Sequence, residues 1–301
     1  MALLAALLGI ACSAPGEKPS PSPASTAAPR PGITGELRTP PTLESRYVAD
    51  RRVDVWLPPG YAADPRRRYP VLYAHDGQNL FDPATAYGGI DWGIDEAMTR
   101  LIASGEVRPA IVVGIWNSPL RFHEYMPQQA VTAESVSTGV PQVPPQRRGD
   151  LRSDAYLRYL VDELKPAIDR AYRTQRGRAG TFVMGSSMGG LVSLYALARH
   201  PDVFGGAAAV STHWPAADGA MVDWFARHLP DPRTHRLYLD HGTETLDAGY
   251  APYQQRMDAA LRRAGWREGE AWTSRIFPGA AHDERAWRAR VDEPLRFLLR
   301  P

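Results

Sequence analysis

Cysteine is almost absent: the 301-residue chain has one, Cys12. A single thiol forms no bridge within the chain, so the folded part depends on core burial rather than cross-links. An excess of charge of one sign is also lacking. Lys+Arg (35) and Asp+Glu (33) nearly cancel to a formal +2, which gives no electrostatic footprint for nucleic acid. No apolar run approaches the roughly 20 residues that a membrane-spanning helix needs. No two histidines stand four apart beside a glutamate, and neither a metal nor a cofactor is expected. No internal repeat is found.

What remains is an ordinary globular composition, 44% hydrophobic and 23% charged, long enough for one large α/β domain or two small ones. Met1 to Ala11 is apolar and of signal-peptide length, which predicts a targeting segment. Cys12 follows Gly9-Ile10-Ala11, a setting similar to a bacterial lipoprotein processing site, although Gly9 stands where an aliphatic residue is usual. Two readings stay open: a lipid tether to the membrane through Cys12, or a plain secretion signal. Ser13 to Pro31 holds six prolines in 19 residues with few large apolar groups, too little to offset ordering entropy, so 13–35 is expected to be a linker. The folded domain is expected over 36–301, outside the cytoplasm.

Within it, apolar segments alternate with helix-period segments. Arg46 to Leu57 reads as a strand pair closed by Pro58-Pro59-Gly60, and Tyr69 to Ala74, Ala110 to Ile115, Phe204 to Val210, Arg236 to Asp240 and Trp272 to Phe277 read as further strands. Helices are expected at Trp92 to Ile102, from Ser153 or Asp154 as cap through Ala171 with a kink at Pro166, at Tyr253 to Ala264, and as one closing helix from Glu284 to Leu299. Phe122 to Gly149 is polar and without period, either a disordered insertion or a lid-like loop. Strands alternating with helices imply a mostly parallel central sheet with helices on both faces, an α/β class.

One stretch organises the rest. Thr181 to Met184 is apolar, Gly185-Ser186-Ser187-Met188-Gly189 is a turn, and Leu191 to His200 is helical in pattern. Strand, sharp turn and helix with a serine between glycines resemble the nucleophile elbow of an α/β-hydrolase. Gly185 and Gly189 flank Ser187 at two residues either side, so Ser187, not Ser186, is the candidate nucleophile. A serine hydroxyl needs a base, and the base needs a carboxylate to hold its tautomer. His282, in the small-residue loop Pro278-Gly279-Ala280-Ala281-His282 before the closing helix, fits the base; His241 is a rival only near the acid loop. For the acid, the loop Gly242 to Asp247 offers Asp247 and Glu244, with Asp247 preferred because it stands just before a helix. Charge on the carbonyl oxygen calls for two N–H donors. These are expected from Met188, after the nucleophile, and from Gln78, where Gly77 would let the backbone approach the substrate. Trp92, Trp116, Trp214 and Trp224 are candidates for stacking on a sugar or lining an acyl pocket, with Trp92 and Trp214 the first choices; for most of the four, core packing is expected.

With these residues identified, the chain from about Tyr47 to Leu299 resembles the secreted esterase family of α/β-hydrolases. That family includes feruloyl and acetyl-xylan esterases, enterobactin-type siderophore esterases, S-formylglutathione hydrolase and the antigen 85 mycolyltransferases. The resemblance rests on Leu72 to Asp82, Asp91-Trp92, Arg121 with Glu124-Tyr125, Gly185 to Gly190, and His282 with Trp287 and Arg290. It implies a triad of Ser187, His282 and Asp247 or Glu244, and ester hydrolysis through an acyl-serine on a small-molecule or carbohydrate ester. Acyl transfer to a sugar hydroxyl is the alternative, and a non-catalytic surface binding module the less favoured one.

Overall fold

The computed structural model describes residues 32–131 and 150–301. The targeting segment, Cys12, linker residues 13–31 and residues 132–149 of the polar stretch lie outside the described residues. The apolar segments form one eight-stranded sheet in the order β1-β2-β4-β3-β5-β6-β7-β8. Its strands are β1 (Glu36–Arg38), β2 (Val53–Leu57), β3 (Val71–His75), β4 (Ile111–Ile115), β5 (Thr181–Ser186), β6 (Gly206–Val210), β7 (Arg236–His241) and β8 (Trp272–Ile276). β2 pairs antiparallel with β1 and β4; all pairings from β4 to β8 are parallel.

Successive strand residues feed opposite cores, as a two-residue period requires. Tyr73, Val183, Ala207 and Leu237 join one cluster, and their neighbours Leu72, Phe182, Ala208 and Tyr238 join the other. The first cluster is closed by α3 (Ser153–Arg158), α4 (Lys165–Ala171), α5 (Met188–Arg199), α6 (Ala220–Arg227) and α7 (Ala251–Arg263). The second is closed by α1 (Ile94–Ala103), α8 (Glu284–Arg288) and α9 (Asp292–Leu299). Both faces are therefore dry, which explains why β3 to β6 are apolar without alternation.

Five local expectations change. The segment before β2 is not a strand, because the Ser45 hydroxyl accepts from the N–H groups of Tyr47 and Val48 and turns the chain; β1 pairs with β2 instead. The Ser153 helix passes through a π-helical turn, Tyr159–Leu164, before Pro166, so the missing N–H is absorbed by widening rather than by a sharp kink. Neither Ser153 nor Asp154 caps it: the Ser153 hydroxyl accepts from Gln128 N–H, and Asp154 from Tyr195 O–H and Gln129. Phe122 to Tyr125, assigned to the aperiodic stretch, belongs to a short helix, α2 (Arg121–Tyr125). The closing helix is also broken, between Arg288 and Asp292, since the ring of Pro294 would clash with the carbonyl of Arg290 in a continuous helix. The break turns Arg290 inward, where it is buried.

The strand order places the site. The chain leaves β3 for β4 on one side and returns to β5 on the other, so the loops after β3 and β5 diverge at their C-terminal ends and leave a crevice there.

Candidate active site

Ser187 occupies the turn between β5 and α5 with φ 56° and ψ −120°. That region is unfavourable for a residue with a Cβ, by roughly 1–3 kcal/mol, and persists only where the surroundings fix it. Here they do. Ser187 N–H donates to Val210 O at 2.9 Å, and its carbonyl accepts from Gly190 N–H at 3.0 Å and His213 N–H at 3.2 Å. Gly185 is required by the same turn, because a Cβ on it would stand 2.7 Å from the carbonyl carbon of Gly189. The half-buried Ser187 opens on a cleft of about 370 Å³ whose walls include Gln78, Asn117, Arg121, His282 and Trp287.

His282 reaches that cleft from the loop after β8. Its Nδ1–H donates to Asp247 Oδ1 at 2.6 Å, a partner that accepts only and so assigns the proton to Nδ1. Trp287 and Tyr250 stand edge-on to the imidazole at 5.0 and 5.6 Å between centroids and fix its plane. Asp247 is buried in a one-turn 3-10 helix, Thr245–Gly249. Its Oδ2 accepts from Ser211 O–H and Gly242 N–H, both at 2.6 Å. Burial alone would raise this carboxyl's pKa, but the bonds from His282, Ser211 and Gly242 outweigh it and hold the group below the ordinary carboxylate value. Glu244 is exposed; its backbone carbonyl starts the 3-10 turn and its side chain caps nothing. His241 is buried, with Nδ1 on the Gly242 carbonyl, away from the acid.

Met188 is the first residue of α5, where an N–H has no intrahelical acceptor. Gln78 sits in the 3-10 turn Gly77–Asn79, entered through Asp76 at φ 57°, and lines the same cleft. Its carbonyl is tied by Thr85 O–H at 2.7 Å and its side-chain oxygen by Asn117 N–H at 3.2 Å. Gly77 has a different reason from the one expected: a Cβ there would lie 2.4 Å from the carbonyl carbon of Gly114, so the glycine lets the loop pack on β4.

Trp92 and Trp214 are not on the cleft. They are 2% and 0% exposed, Trp92 against Trp287 and Trp214 donating from Nε1 to Gln254 Oε1 at 2.9 Å. Beside Trp287, the exposed aromatic ring at the cleft is Tyr87, 77% exposed, which sequence reasoning passed over because a lone tyrosine carries no pattern. Asp76 and Arg121 form a bidentate pair at 2.7 Å along the cleft wall, 45 positions apart in the chain. Burial would raise the Asp76 carboxyl, but Arg121 and Asn117 hold it low. Among the described residues one carboxylate trio, Asp91, Asp95 and Glu96, is compact enough for a cation. Arg288 already spans it, 2.8 Å from Asp91 and 3.1 Å from Glu96, so the guanidinium fills that role.

The sheet and the strained serine at its strand-to-helix turn define an α/β-hydrolase. The chain belongs to the family described as "Putative esterase", whose model matches residues 45–298. It is 24% identical over 255 residues to the endo-1,4-beta-xylanase/feruloyl esterase of Xylanibacter ruminicola, covering 82% of this chain and 29% of that protein. It is 27% identical over 191 residues to the ferri-bacillibactin esterase BesA of Bacillus subtilis, covering 61% of this chain and 63% of that one. Among solved structures, an IroE-like serine hydrolase from Shewanella oneidensis superposes with a TM-score of 0.66 at 21% identity, over 87% of this chain and 79% of that one, a likeness of fold. The chain is an esterase.

Proposed function

We propose that the chain hydrolyses carboxylic esters through an acyl-serine at Ser187, on carbohydrate-linked acyl esters or siderophore-type esters. The observation that carries the reading is the strained Ser187 opening on one cleft with His282, whose Nδ1 is fixed by Asp247. The Nδ1–H bond leaves Nε2 of the neutral imidazole unprotonated and able to take the Ser187 proton as Oγ attacks the carbonyl. The N–H groups of Met188 and Gln78 receive the oxyanion. Collapse expels the alcohol with the proton from His282; water then attacks the acyl-serine, His282 taking its proton and returning it to Ser187 Oγ as the acid departs.

The cleft wall is mixed, with more apolar than polar surface, and suits a substrate that carries both a ring and hydroxyl groups. Gln78, Asn79, Asn117 and Arg121 offer hydrogen-bonding groups, and Tyr87 offers an exposed ring face. The feruloyl and siderophore esterases among the relatives agree with that chemistry. The apolar start and Cys12 support action outside the cytoplasm.

A fluorophosphonate probe, with peptide mapping, tests the assignment: labelling is expected at Ser187 and is lost in Ser187→Ala together with turnover of feruloyl and aryl esters. Labelling at Ser186, or turnover undiminished in Ser187→Ala, overturns it.

A further inference from the structure

Three buried side chains behind Asp247, those of Asp240, Trp287 and Arg290, take no part in the chemistry just described, and two of them, Trp287 and Arg290, stand in the sequence a few residues after His282. All converge on Ser211, the residue that follows β6. Its backbone lies at φ 43°, and its N–H donates to Asp240 Oδ1 at 3.0 Å. Its hydroxyl has three partners: Asp247 Oδ2 at 2.6 Å, Arg290 Nη2 at 2.7 Å and Trp287 Nε1 at 3.0 Å. A guanidinium and an indole N–H donate only, so they use both lone pairs of the hydroxyl, and its one proton has nowhere to go but Asp247. The direction of the bond is thus imposed by its surroundings rather than chosen by a free rotor.

Arg290 is itself placed. It is buried, and its Nε and Nη2 reach Asp240 at 3.3 and 3.2 Å, while Tyr238 O–H donates to the same carboxylate at 2.8 Å. The guanidinium stands 3.9 Å from Asp247 Oδ2 without displacing the serine between them. A cation bonded to the far side of a hydroxyl polarises its O–H toward the acceptor.

We propose that Ser211, oriented by Arg290 and Trp287, is a positioning residue for the acid. It pins Oδ2 so that Oδ1 faces His282, and it keeps Asp247 ionised in a buried site. The proposal rests on the triad reading above.

Its test is a double-mutant cycle with Ser211→Ala and Asp247→Asn, each folded variant assayed for kcat, KM and the acid limb of the kcat/KM–pH profile on an aryl ester. Ser211→Ala is expected to lower kcat by roughly ten- to hundredfold, the range for partners one shell out, with KM unchanged. A carboxylate deprived of a donor holds the proton of the acid–imidazole pair more tightly, so the acid limb should move up by on the order of half a unit or more. In the Asp247→Asn background, Ser211→Ala should cost little further. A full loss repeated in that background, or a lowered kcat with the acid limb unmoved, makes Ser211 merely structural and overturns the proposal. Should Ser211→Ala fail to fold, Ser211→Cys keeps a weak donor and acceptor, and the downfield proton resonance of His282 Nδ1–H reads the pair directly; an unshifted resonance also overturns it. If Asp247→Asn alone keeps wild-type turnover, what has failed is the triad reading and not the geometry of Ser211.

Discussion

His282 Nδ1 and Asp247 Oδ1 lie 2.6 Å apart, and every other lone-pair direction used on that carboxylate faces a donor held by the fold. Replacing the acid by an amide therefore cannot be silent. In Asp247→Asn the NH2 must face either His282 Nδ1–H or the donors Ser211 and Gly242. In the first case the imidazole is driven to carry its proton on Nε2, the nitrogen needed to receive the Ser187 proton. Turnover should fall by roughly a hundredfold or more, with some loss of stability because a buried donor opposes a donor. Glu244→Gln, on an exposed side chain, should leave both kcat and melting temperature near wild-type. The kinetics of the two variants decide the matter, and a crippled Glu244→Gln beside an active Asp247→Asn would exchange their roles.

The backbone of Ser187 yields a stability prediction of the opposite sign. Its φ 56° and ψ −120° suit glycine better than any residue with a Cβ. Relief of roughly 1–3 kcal/mol of strain is offset by about 0.5–1 kcal/mol of added chain entropy in glycine. Ser187→Gly should thus melt at or above wild-type while lacking turnover, whereas Ser187→Ala keeps the strain and melts near wild-type. A thermal scan in which Ser187→Gly melts well below Ser187→Ala would show that the turn stores no strain.

The pattern of glycines, the apolar strand and the helix period made the turn at Ser187 legible in the sequence, because each is a local requirement of one strand-turn-helix. The place of His282 on the cleft was legible for a related reason: it follows the last strand. The tryptophans were not, since Trp214 and Trp287 have the same composition signature, and burial on one face of a sheet depends on what packs across it. Ser211 carries no local signal at all. Its importance arises from Asp247, 36 residues later, and Arg290, 79 residues later, which only the sheet brings together. The break that aims Arg290 inward comes from Pro294, a signal present in the chain but outweighed by the helical period around it.

A buried histidine, His75, and a half-buried one, His213, contribute to the pH dependence of stability. Burial, reinforced by Arg121 and Arg51 and opposed by Asp76, lowers His75 to about 3, with Nδ1 on Tyr156 O–H. Burial, reinforced by His282 and Arg121 and opposed by Asp247, lowers His213 to about 4, with Nδ1 on Tyr250 O–H. Both stay neutral when folded and protonate near 6.5 when unfolded. Through these two groups the unfolded chain binds more protons between pH 6.5 and about 4, and their contribution to stability falls on acidification through that window, opposed by Asp95, whose carboxyl is raised in the fold by burial and Glu96. Each histidine contributes up to about 1.4 kcal/mol per pH unit. Asp76 and Asp247, held low, act below this window: their contribution is present above the ordinary carboxylate value and is lost as pH falls through their lower folded values. Urea midpoints from pH 7 to 4.5 should show the slope, and His213→Gln should reduce it; an unchanged slope would mean that His213 is protonated in the fold.

Tyr87 and Trp214 separate substrate contact from packing. The Tyr87 ring is exposed at the cleft, and its N–H is anchored to Asn79 Oδ1 at 2.9 Å, so its loss should leave the loop in place. Aromatic contact is worth about 0.5–1.5 kcal/mol, so Tyr87→Ala should raise KM for a feruloylated sugar by roughly two- to tenfold. The same variant should leave KM for ethyl acetate, which has no ring to stack, unmoved. Trp214→Phe removes the indole donor to Gln254 in the core and should lower the melting temperature while leaving KM for both esters unchanged. If instead Trp214→Phe raises KM for the sugar ester alone and Tyr87→Ala does not, the sugar binds elsewhere than the Tyr87 side of the cleft, and the polar wall of Gln78, Asn117 and Arg121 loses its place in the choice of substrate.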